Sequence, residues 1–132
     1  MKRLVGLTCA GALLLMGGPA LAHHSFALFD NDKIVPVTGT IKDFQWTNPH
    51  TWVQLLAPDP TTGVAVEWSI EGGSTTTMIR EGGWTGKALK VGDKATIYLH
   101  PMKDGSPRGS LVNASVNGKM ISQTKVTVAA GK

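Results

Sequence analysis

From Val64 to Glu71 apolar and polar residues alternate, with Val64, Val66, Trp68 and Ile70 on one side and Glu67, Ser69 and Glu71 on the other. A period of two is the mark of a strand buried on one face. Similar short stretches recur along the chain, each closed by a turn. Ile34 to Trp46 reads as one long extended segment interrupted by Gly39. Ile41 and Phe44 cannot share a face under strict alternation, so a bulge is predicted near Lys42-Asp43. Thr47-Asn48-Pro49 turns the chain into a second strand, Thr51 to Ala57, and Pro58 to Gly63 links that strand to the third. Lys94 to His100 and Ser110 to Val116 supply two more. Asn117-Gly118 is a hairpin signal leading to a short sixth element. The 16 glycines and 7 prolines suit a chain with so many turns.

One segment breaks the rhythm. Ser74 is a natural N-cap, Thr75 to Glu81 a short helix, and Gly82-Gly83 its stop. The β-branched threonines limit that helix to about two turns. Three strands, a short helix and two strands is the order of an OB-type barrel. The expected fold is therefore mainly β, a small OB-like Greek-key barrel of five to six strands with one short helix between strands 3 and 4. Gly39 suits the coiling such a barrel requires, and closure leaves few exposed edges. Trp68 and Trp84 are expected to pack in the core, and Phe26, Leu28 and Phe29 can pack from the lead-in.

The first residues have another character. Lys2 and Arg3 precede an apolar stretch, Leu4 to Met16, which is too short for a comfortable membrane span. Gly17-Gly18-Pro19 breaks any helix, and Ala20-Leu21-Ala22 places small residues where a signal peptidase reads. Residues 1–22 are thus expected to be a cleaved secretory signal peptide and residues 23–132 a single domain. The domain is expected to be periplasmic or secreted, with no membrane span after cleavage. Removing Lys2 and Arg3 lowers the Lys and Arg count from 13 to 11 against 9 acidic residues, and the net charge from +4 to +2. That balance gives no reason to expect a nucleic-acid partner. Cys9 is the one cysteine and leaves with the leader, so the domain has no disulfide and no thiol chemistry.

Several short motifs run through the chain. HHSF stands at His23 to Phe26, W-T-N-P-H at Trp46 to His50 and E-W-S-I-E-G-G at Glu67 to Gly73. G-W follows at Gly83-Trp84, V-G-D at Val91 to Asp93 and H-P-x-x-D-G-S at His100 to Ser106. In these motifs the chain resembles a family of small exported bacterial proteins of unknown function. The resemblance covers His23 to about Ile121 and implies a single exported domain. It implies no activity, substrate or residue role.

The four histidines carry the sharpest chemistry. With cleavage after Ala22, His23 and His24 become the first two residues. An α-amine titrates near 7.7–8.0 and an imidazole near 6.5, so both are available as neutral donors at about neutral pH. The amine and Nδ1 of His23 can chelate one ion, or His24 can recruit its own amide nitrogen. A distant histidine would complete a nitrogen-rich planar set, which suits Cu(II). His50 and His100 are the candidate distal ligands. In the OB order His100 should lie near the beginning of the first strand and His50 near its far end. The lead-in would then have to double back to carry His23 and His24 toward His50.

Trp46 and Trp52 are candidate stacking platforms for a polymer ligand. Glu67, Ser69 and Glu71 read as a solvated face. No nucleophile elbow, H-E-x-x-H pair or phosphate-binding glycine loop is present, and an N-terminal-histidine copper oxygenase is the weaker reading for so small a domain. The expected function is that of a non-enzymatic periplasmic copper carrier or buffer, using His23, His24 and one of His50 or His100, with a metal ion or a periplasmic protein as its partner. The alternative is an OB-type binding module for a protein, glycan or other polymer, with no metal role.

Overall fold

The structure, a computed structural model, describes residues 25–128. A one-turn helix α1 (Ser25–Leu28) precedes the strands β1 (Val35–Gln45), β2 (Trp52–Pro58) and β3 (Ala65–Glu71). Helix α2 (Thr75–Glu81) follows, then β4 (Lys94–Pro101), β5 (Arg108–Val116) and β6 (Lys119–Met120). Five strands close into a barrel in the order β1-β2-β3-β5-β4 and back to β1, with β6 outside it on the edge of β5. All neighbours are antiparallel except β3 and β5, whose parallel pairing joins Ser69, Ile70 and Glu71 to Arg108, Gly109 and Ser110. This is the OB-like fold that the order of elements predicts. Among the described residues, no helix is long and apolar enough to cross a membrane.

Local chemistry explains the elements. The β1–β2 register slips between Ile41 and Asp43, at the predicted bulge, which returns Phe44 toward the interior. Gly39 is buried where β1 crosses β2, and a Cβ there would lie 2.2 Å from the Leu56 carbonyl oxygen. Ser74 caps α2 by accepting from the Thr77 N–H, and Gly82 ends the helix at φ 81°. Asn117 and Gly118, at φ 52° and 76°, turn β5 into β6 with both central residues left-handed, as a two-residue hairpin prefers.

The interior is continuous. Ile41, Val53, Leu55, Ile70, Ile97 and Leu99 fill the barrel, and Met78 and Trp84 seal the end beneath α2. The Thr51 hydroxyl donates toward Met78 Sδ (2.8 Å) and Gly73 O (3.2 Å), pinning α2 to the start of β2. Trp68 is half-buried and packs against this core from one side.

Two features have no counterpart in the sequence reading. A second slip, between Tyr98 and Leu99 against β5, leaves Val112 unpaired with β4 and sets Asn113 on the outward face beside Tyr98, where it is nonetheless fully buried. Asn113 Nδ2 donates to Ser122 O and Thr124 O while its Oδ1 accepts from Ser122 N, so one side chain ties down the segment after β6. In the lead-in, Phe29 is buried and bridges Met102, whereas Leu28 stays half exposed rather than packing.

Candidate functional site

W-T-N-P-H and E-G-G, far apart in sequence, meet at one end of the barrel. The β2–β3 hairpin sets Trp52 opposite Glu71 and so brings His50 beside Glu71 and Gly72. Asn48 turns the other way and accepts from the Thr75 N–H and hydroxyl at the start of α2 (both 3.0 Å). Thr51 N donates to Gly73 O and Gly72 N to Thr51 O, closing the junction.

His50 Nδ1 lies 3.1 Å from Gly72 O and 3.1 Å from Glu71 Oε1. Both are acceptors, so Nδ1 carries the proton and Nε2 is left as the nitrogen that can offer a lone pair. Metal-binding imidazoles are commonly held in this way, with the second ring nitrogen donating to a carbonyl or carboxylate. The ring sits at a cleft of about 240 Å³, also lined by Phe29, Glu71, Glu81, Ser110 and Leu111. Glu71 is largely covered, with 16% of its side chain exposed, so the expected solvated face applies to Glu67 but not to it. Glu67 is exposed and pairs with Lys42 at 2.5 Å. Desolvation at the cleft wall raises the Glu81 carboxyl above the usual carboxylate range.

His100 stands across the seam. Ser110 pairs with Glu71 on β3 and with His100 on β4, which puts Glu71, Ser110 and His100 on one outward face. Two strand spacings separate Glu71 from His100, about 10 Å between backbones. His100 Nδ1 is 2.7 Å from Lys33 O, just before β1, as the strand order predicts, and it too must donate. The structure thus places both rings with Nδ1 committed to the backbone, and it does not bring them together.

His23 and His24 lie outside the described residues, as does the boundary at Ala22. The lead-in arrives by another route than doubling back. Asp30 N donates to Pro101 O and Lys103 N to Leu28 O, so the segment continues the direction of β1 along the end of β4. Barrel closure through β5 and β3 then puts Phe29 on the same cleft as His50. Among the described residues, no group of three or more His, Cys, Asp or Glu side chains is arranged to hold a metal ion.

Of the candidate platforms, Trp46 is half-buried, 5.9 Å from the Phe44 ring and packed over Gly86. Trp52 is half-buried on the outward side of β2, opposite Glu71. Glu71 was the residue that sequence reasoning passed over. Its place follows from the observed hairpin register, in which Pro58 pairs with Ala65 and Trp52 therefore with Glu71; counting back from a Pro58–Gly63 connection sets Trp52 against Ser69 instead.

A family model matches residues 12–112, from the apolar N-terminal run into β5. The chain belongs to the DUF6152 family, a family of unknown function. No curated protein matches the chain. The match of this DUF6152 chain takes in both halves of the cleft, the His50 turn and the Glu71-Gly72-Gly73 end of β3.

Proposed function

We propose that this DUF6152 protein is an exported, non-enzymatic copper(II)-binding protein, a carrier or buffer cut after Ala22. The amine and ring of His23 chelate the ion, His24 is available beside them, and His50 supplies the distal nitrogen through Nε2. The observation that carries this reading is the His50 ring, with Nδ1 committed to Gly72 O, at a cleft shared with Phe29. Phe29 stands six residues after His23, a tether of about 9 Å as helix or about 20 Å extended, which is ample to reach across the cleft. His100 has the same ring chemistry but stands on the other side of Ser110. Nitrogen and carboxylate donors without a thiol suit Cu(II) among divalent first-row ions.

The test is a titration of the processed protein with Cu(II) against a competing chelator, beside a form with one extra residue before His23. The extra residue should weaken binding, and His50→Ala should weaken it at least about tenfold while His100→Ala does not, as loss of a ligand demands. Unchanged affinity in the extended form overturns the chelate. Mass spectrometry finding another first residue does the same.

The second reading, an OB-type module for a protein, glycan or other polymer, draws support from Trp52, the candidate platform on the outward face. It predicts quenching of tryptophan fluorescence by a polymer and loss of that quenching in Trp52→Ala.

A further inference from the structure

The opposite end of the β2–β3 hairpin carries a second cleft, of about 440 Å³. β1 pairs with β2 only from Thr40 onward, and β3 pairs with β5 only from Ser69 onward. Val35 to Thr38 therefore face the cleft with an unpaired strand edge, and four consecutive residues line it. Its walls include Val35, Val37, Val66 and Trp68, which is the composition of a small-ligand site.

Asp59 stands on the rim and is half-buried. Its Oδ1 accepts three hydrogen bonds, from Thr61 N (2.9 Å), Thr62 N (2.7 Å) and the Thr62 hydroxyl (3.0 Å). Those bonds, led by the Thr62 N–H, hold its carboxyl below the usual carboxylate range. The turn thus fixes the group as an anion by one oxygen alone. Its Oδ2 has no hydrogen bond among the described residues, whose lysine–carboxylate pairs are Lys33–Asp30 and Lys42–Glu67. On the facing loop the charge of Arg108 acts on Asp104. A preformed apolar slot with an oriented, uncompensated carboxylate at its lip matches a ligand with one positive charge and a hydrocarbon body.

We propose that the barrel mouth binds a monocationic amphiphile, an alkyl- or arylammonium whose apolar part lies against Val35, Val37, Val66 and Trp68 and whose ammonium meets Asp59. The site is separate from the histidine cleft and does not depend on metal binding.

The test uses hexylammonium, hexan-1-ol and hexanoate as probes, followed by the indole N–H cross-peak of Trp68, which Trp68→Phe assigns. Hexylammonium should give a saturable shift, with hexan-1-ol about tenfold weaker and hexanoate weaker still, as for a charged hydrogen bond at a partly exposed rim. Asp59→Asn keeps the Oδ1 acceptor and removes the charge, so it should reduce hexylammonium to the level of hexan-1-ol. Equal binding of hexylammonium and hexan-1-ol to the unaltered protein overturns the proposal whether or not the variant folds. So does an unchanged affinity in Asp59→Asn, or the absence of a saturable shift with every probe.

Discussion

Replacing Gly39 by alanine isolates one contact on which the barrel depends. No positive φ is recorded at Gly39, so alanine is locally acceptable there and would by itself add about 0.5–1 kcal/mol by restricting the unfolded chain. Against that stands the Leu56 carbonyl, with the oxygen 2.2 Å and the carbon 2.8 Å from the new Cβ, both inside the 3.0 Å that real Cβ atoms respect. The obstacle is backbone and cannot rotate aside, so β1 and β2 must part next to the Thr40–Leu56 pair. Overpacking costs about 1–3 kcal/mol, and a ladder hydrogen bond lost with it adds about 1 kcal/mol. The net is a loss of roughly 2–3 kcal/mol, which for a domain of this size lowers Tm by about 10–20 °C. Calorimetry and urea unfolding measure it, with Gly73→Ala as the control. A Cβ at Gly73 meets Thr77 at an ordinary 3.6 Å, so that variant should be near neutral. A Gly39→Ala protein as stable as the parent would refute the steric account of the crossing.

Asn113→Ala leaves Ser122 N, Ser122 O and Thr124 O without their partner, so hydrogen exchange at residues 122–124 should accelerate well before the barrel itself opens, at a cost of roughly 2–3 kcal/mol. The Ser106 hydroxyl and N–H hold the Asp104 carboxyl below its usual range, so its contribution is present above about pH 4 and is lost as pH falls through the folded value. Asp104→Asn should therefore be less stable than the parent at pH 7, with the gap closing in acid, as urea midpoints across pH will show. Glu81 has the opposite sign. Burial raises its carboxyl, so a penalty sets in as pH rises past about 4.3, and Glu81→Gln should raise Tm at pH 7 but not at pH 3.

The strand boundaries, the bulge, the α2 cap and the β5–β6 turn were legible because each follows from a local rule. Alternation fails at Lys42-Asp43, Ser74 precedes a short polar helix, and Asn-Gly fits a left-handed turn. The Asn113 clamp was not legible, since the second slip sets Asn113 on the outward face beside Tyr98 and it is buried there only because the segment after β6 lies over it. At the candidate site, the sequence supplied the histidines and their places at opposite ends of β1. It did not supply the meeting of Phe29 and His50, because that contact runs through barrel closure, where just three residue pairs join β3 to β5. Glu71 was missed for the same reason: alternation assigns it outward, and only the lead-in and α2 crowd the surface over it.

That three-pair join has a mechanical consequence. Every other junction in the ring is stitched over at least five pairs, so the parallel one is where the ring parts at least cost. The cleft straddles it, with Glu71 on one stave and Ser110 on the other. Whatever settles there fastens the hoop, and its arrival should be felt as slower amide exchange from Arg108 to Ser110 even though none of those amides need touch it.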